Sequence, residues 1–171
     1  MKIREWREEI ILSIFTLLHV LLSLLGILAG FVMVLGLLSA RRLETGTAIF
    51  LWTTVLTSVT GFLFPFHGFK PSYVVGIISL MVLALAIYAL NGRKLAGGWR
   101  RTFVISSVTA LYLNVFVLVV QLFGKVPALK ALAPTQTEGP FKITQLTVLV
   151  IFIALGILAT TRFRKEELRA A

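Results

Sequence analysis

The sequence predicts an all-α membrane protein, a transmembrane helical bundle of five spans. Three observations carry that expectation. Of the 171 residues, 58% are hydrophobic and 14% are charged, whereas soluble domains hold roughly 45–50% apolar and about 25% charged residues. The apolar residues gather in runs of about 18 or more, the length that crosses a bilayer. Every Lys, Arg and Glu falls between those runs or at their ends. The chain therefore reads as one transmembrane domain over residues 1–171, with spans at about 10–38, 48–66, 73–90, 102–123 and 143–161.

Residues 1–9 are charged and carry Trp6, which suits one or two helical turns at the membrane interface. Three Glu among them, and an apolar run longer than roughly 7–15 residues, argue against a cleavable signal peptide. The first span is roughly 43 Å long at 1.5 Å per residue, against a hydrocarbon core of about 30 Å, so it must tilt or project. One face carries His19, Ser23, Gly26 and Gly30, and Gly26-xxx-Gly30 is a small-residue pattern that lets a second helix come close. The second span is rich in hydroxyls, with Thr53, Thr57, Thr60 and Phe64 on one face. It ends in a Pro- and Gly-rich aromatic turn holding His67. The third span is nearly featureless and is expected to be the most lipid-exposed. In the fourth, Ser107, Asn114 and Gln121 recur every seven residues as a polar stripe. Asn114 lies mid-span, where an unpaired amide is costly, so it should face another helix. The loop over residues 124–142 contains a short amphipathic helix from Pro127 to Ala133. The segment Pro134 to Pro140 cannot extend it.

Asp and Cys are both absent, which excludes disulfides and thiolate metal sites. No ionisable Glu, Lys or Arg lies inside a span, and proton or cation pathways ordinarily need one. The net charge of +10 does not indicate nucleic-acid binding. The basic residues stand in pairs at span ends, as Arg41-Arg42, Arg93-Lys94 and Arg100-Arg101, which is the pattern of topology signals. With the N-terminus outside, the inner segments hold ten Lys and Arg against seven on the outer side, the arrangement the positive-inside rule favours. If residues 1–42 did not cross, four spans would remain.

Two groups of polar residues stand out. One is a ligand or partner seam between helices: Asn114, Gln121, Ser107, Thr57, Gln145 and His19. The other is an outer-face cap: His67, Thr135, Gln136 and Glu138. The seam could hold a small neutral or lipidic ligand such as a quinone, or its groups could satisfy one another and fasten the bundle. His19 and His67 invite comparison with axial haem ligands, but their depths match poorly and no other haem signature is present, so no cofactor is expected. Glu138 with His67 could form an acid–base pair. No Ser or Cys nucleophile motif and no metal-ligand cluster accompanies them, which weighs against an enzyme.

The runs Thr53-Thr-Val-Leu-Thr-Ser-Val-Thr-Gly-Phe-Leu-Phe-Pro-Phe, Ala110-Leu-Tyr-Leu-Asn-Val-Phe-Val-Leu-Val-Val-Gln and Leu129-Lys-Ala-Leu-Ala-Pro-Thr-Gln-Thr-Glu-Gly-Pro-Phe carry a resemblance. They resemble an uncharacterised family of small polytopic bacterial integral membrane proteins with an Ala-Pro-Thr-Gln-x-Glu loop motif. The resemblance covers most of the chain after about residue 15. It implies a multi-pass protein of the bacterial cytoplasmic membrane and nothing about chemistry. Where that pattern has Pro-Pro after the Glu, this sequence has Gly139-Pro140, a more flexible turn. The expected role is a non-enzymatic structural or accessory protein, or a subunit of a membrane complex; the alternative is a carrier or binding protein for a neutral or lipidic ligand. Expected partners are the lipid bilayer and either a second copy or another membrane subunit, with nucleic acid excluded.

Overall fold

The computed structural model describes residues 2–64 and 71–164, and every regular element among them is helical. Helix α1 runs Lys2–Leu38, α2 Glu44–Gly61, α3 Pro71–Ile87, α4 Trp99–Lys125, α5 Pro127–Leu132 and α6 Gly139–Arg164. A π-helical turn, Tyr88–Gly92, continues α3. Four helices are long and apolar enough to cross a membrane: α1 from Trp6, α3 with its π turn, α4 and α6. The chain is a multi-pass membrane protein by that measure. Helix α2 is the exception to the five-span expectation, because its seven hydroxyl residues and Glu44 dilute its apolar character.

The helices alternate in direction, so their ends sort to two faces of the bundle. The C-terminal ends of α1 and α6 meet where Arg162 donates to the Leu38 carbonyl, 3.4 Å away. The N-terminal end of α4 joins them through Arg100, 3.4 Å from the Phe163 carbonyl. This is the basic end. At the other end, here the loop end, Phe123 of α4 packs on Phe141 of α6 with ring centroids 5.4 Å apart. Phe15 of α1 packs on Phe64 beyond α2 at 4.9 Å.

The α1–α2 hairpin is the tightest pairing, and glycine is the reason. A Cβ on Gly26 would stand 2.9 Å from Thr53 Oγ1, and one on Gly30 would stand 2.5 Å from Leu111 and 2.9 Å from Phe50. The small face expected of the first span therefore admits both α2 and α4. The core is lopsided. On α1 buried residues begin at Gly26 and Ile27, on α2 they end at Thr54, and on α6 they begin at Phe152. All of these lie toward the basic end. Toward the loop end, α4 from Tyr112 to Leu118 is half-buried throughout, and a small second cluster of Val119, Phe123 and Ala133 closes the bundle under α5.

Several expectations change. The first span and the charged leader form one helix, and its residues from Trp6 to Ile14 are all exposed, so α1 projects past its neighbours. The most lipid-exposed helix is α6, whose buried residues are Phe152, Ala159 and Phe163 along its 26 residues, whereas the shorter α3 and its π turn bury Ser79, Leu83, Ala86 and Ala89. Helix α3 is less bland than its composition implies, because Ser79 is buried and accepts a hydrogen bond from Ser58 at 3.3 Å. Helix α6 also starts earlier than the predicted residue 143, at Gly139. Pro140 is accommodated in its first turn, where a backbone N–H has no helical partner in any case.

Candidate functional site

The seam residues come together in part. Asn114 on α4 donates through Nδ2 to Thr54 Oγ1 on α2, 3.1 Å away. His19 on α1 meets Thr60 on α2, with 2.9 Å between Nδ1 and Oγ1. The Thr60 hydroxyl donates to the Leu56 carbonyl at 2.7 Å, which leaves its lone pairs for an Nδ1–H of His19. The His19 ring stands edge-on to Phe64, with centroids 5.1 Å apart. Gln145 on α6 donates to the Phe116 carbonyl of α4 at 3.2 Å. Three helix pairs are thus each joined by a neutral polar bond.

The stripe does not continue along α4. Ser107 is fully buried, Asn114 is half-buried and Gln121 is exposed. A straight helix turns about 20° away from a seven-residue repeat in each repeat, so Gln121 stands about 40° round from Ser107, and it lies at the loop end, where the core is thin. Three seam oxygens, Thr57 Oγ1, Ser107 Oγ and Gln145 Oε1, are buried without a hydrogen-bond partner. Thr54, the partner of Asn114, escaped the sequence reading. It adjoins Thr53 and lies off the Thr53–Thr57–Thr60 face, so periodicity within α2 gave no reason to select it.

The cap is a self-closed turn. Glu138 accepts hydrogen bonds from the Thr135 hydroxyl at 2.7 Å, the Thr135 amide at 3.1 Å and the Thr137 amide at 3.0 Å. Gln136, held at φ 58°, donates to the Val120 carbonyl of α4 at 2.8 Å. Ala133 is fully buried against α4. The Ala133–Glu138 segment therefore anchors at Ala133 and Gln136 and closes on itself at Glu138. His67 lies outside the described residues, and the Glu138–His67 pair with it. Among the described residues no three His or Glu side chains approach closely enough to hold a metal ion.

The Thr135 hydroxyl holds the Glu138 carboxyl below its ordinary value, and the Thr135 and Thr137 amides act in the same direction. The sign follows from linkage. A carboxyl with a depressed folded-state pKa favours the closed turn above its ordinary pKa, and that contribution is lost as pH falls through the lowered value. Amide exchange at Thr135 and Thr137, corrected for intrinsic pH dependence, should therefore quicken on acidification. In Glu138→Gln it should be fast already at neutral pH and show no such step.

Compared with protein-family models, curated proteins and solved structures, the chain finds no match in any of the three.

Proposed function

We propose that the chain is a non-enzymatic structural or accessory protein of the bacterial cytoplasmic membrane, a subunit of a larger assembly or of its own oligomer, crossing five times with its N-terminus outside. One observation supports this best: the hydrogen bonds that Asn114, His19, Gln145, Gln136 and Glu138 make tie parts of the chain to one another. Asn114 holds α2, His19 holds Thr60, Gln145 holds α4, and the cap closes on Glu138 and docks through Gln136. The same reading gives the Ala133–Glu138 motif, on which the resemblance to small bacterial membrane proteins rests, a structural task.

Two experiments test it. Mild-detergent purification should yield a defined partner subunit or a homo-oligomer. A Soret band, or a turnover assignable to the chain, would overturn the proposal. In parallel, Asn114→Leu should lower stability in detergent by roughly 0.6–1.7 kcal/mol, the range for interhelical polar bonds in membranes, without altering what co-purifies.

A second reading has its own support. The bundle is only half-packed around Tyr112–Leu118, and Thr57 Oγ1 and Gln145 Oε1 are buried there or close by without partners. A quinone- or lipid-like molecule entering from the side would supply a hydrogen-bonding group for them. Mass spectrometry of organic extracts discriminates the two readings. A stoichiometric quinone or single lipid species, lost in Gln145→Leu, favours the binding protein.

A further inference from the structure

Two clefts adjoin at the basic end. One, of about 320 Å³, is bounded by Gly97, Gly98, Arg100 and Arg101 at the start of α4 and by Phe163 of α6. The other, of about 470 Å³, is bounded by Arg42, Glu44, Lys94, Arg100 and Phe163. Because they share Arg100 and Phe163, they make one depression at the helix ends. Four cations from three chain segments converge on it; among the described residues lining it the carboxylate is Glu44, which is paired with Arg42.

The cations are held in place. The Arg100 guanidinium lies over the Phe163 ring, 5.0 Å from its centroid, and also donates to the Phe163 carbonyl. Next to the depression, Arg93 lies over Trp99 at 5.2 Å. Lys94 and Leu95 both take left-handed backbone angles, φ 47° and 58°, an unfavourable conformation for side-chain-bearing residues. That bend brings Lys94 to the rim. A Cβ on Gly97 or Gly98 would meet nothing within 4 Å, so bare backbone forms an open floor there.

Arginine forks match the oxygens of a phosphate, and cations converging from separate chain segments favour an anion. The position adds a second argument. The depression sits where α1, α4 and α6 end, at the depth of lipid headgroups.

We propose that this depression is a binding site for a phosphate-bearing anion, supplied either by the headgroup of an anionic phospholipid or by a free phosphate compound. It stands independently of the seam and the cap, which lie elsewhere in the bundle.

The test uses the full chain in mild detergent, titrated separately with short-chain phosphatidylglycerol, short-chain phosphatidylcholine, inorganic phosphate and pyrophosphate, and read by native mass spectrometry and thermal shift. Phosphatidylglycerol should bind about tenfold more tightly than phosphatidylcholine. Exchanging Arg101 and Lys94 together for Gln should remove that preference. Both residues are exposed, so their loss leaves the core intact. Lys125→Gln with Lys130→Gln, at the opposite end, should leave it unchanged. Saturation by phosphate or pyrophosphate, in competition with phosphatidylglycerol, assigns the free ligand; failure of both to compete assigns the lipid. No anion preference at all, or a preference lost equally in the loop-end variant, overturns the site.

Discussion

Gly30→Leu should lower the thermal midpoint of the detergent-solubilised protein by about 5 °C or more, and Gly30→Ala should lower it by less. A Cβ at residue 30 falls 2.5 Å from Leu111 Cδ1, 2.9 Å from Phe50 Cδ2 and 3.1 Å from Phe50 Cε2. Neither neighbour can yield into free space, since Leu111 and Phe50 are both fully buried. Alanine recovers up to about 1 kcal/mol of helix propensity over glycine, but overpacking a closed core typically costs about 1–3 kcal/mol. For a chain of this size each kcal/mol moves the midpoint by roughly 2–4 °C. Leucine adds three further carbons to a junction that has no room for one. Because the clash is local to three residues, shrinking a neighbour should relieve it. Phe50→Leu alone destabilises, yet in combination with Gly30→Ala the penalty should be less than the sum of the two. A strictly additive pair in a double-mutant cycle would mean that α1, α2 and α4 do not meet at Gly30.

That junction marks how far the sequence could be read. Gly26 and Gly30 were legible as a close-approach face, because small residues four apart share one side of a helix. Of the residues meeting them, Thr53 stood on the legible hydroxyl face of the second span, and the others were not legible. Phe50, Leu111 and Thr54 look like any other apolar or hydroxyl residue in their spans, and only the assembled helices select them. Helix identity was clear for the same reason that tertiary detail was obscure. Length and hydropathy fix a span, but inside a membrane apolarity no longer distinguishes the buried face from the lipid face. That is why α3 was expected to be the exposed helix when α6 is more so. The cap was partly readable. Pro134 and Pro140 bounded a loop, and Glu138 was selected, but its partners proved to be Thr135 and Thr137 within the same turn. The cleft at the basic end was hidden in plain charge pairs. Arg42, Lys94 and Arg100 were read as separate topology signals, because sequence spacing does not reveal that alternating helices bring their loops to one place.

That convergence also bears on the number of crossings, and the absence of cysteine from the sequence makes a clean measurement available. Single cysteines at Glu8, Ser39, Ala96 and Lys130, all exposed positions, report the N-terminal segment and three of the connections with no background. With five crossings, an impermeant maleimide applied to intact cells should label Glu8→Cys and Lys130→Cys and spare Ser39→Cys and Ala96→Cys until the membrane is opened. If α2 failed to cross, Ser39 and Ala96 would fall on opposite sides. If α1 failed to cross, Glu8 would share the side of Ser39. The packing favours the five-crossing pattern. Arg42 before α2 and Lys94 after α3 line one cleft, while the far end of α2 reaches His19 of α1 through Thr60. Helix α2 spans about 27 Å from its 18 residues at 1.5 Å each, close to the thickness of the hydrocarbon core. Its hydroxyls need not bar it from the membrane: Thr53 and Thr60 bond to carbonyls one turn back, and Thr54 accepts from Asn114. A helix too polar to face lipid on every side can still cross when α1, α3 and α4 take up its polar groups, and labelling of Ser39 and Ala96 from opposite faces would refute that account of α2.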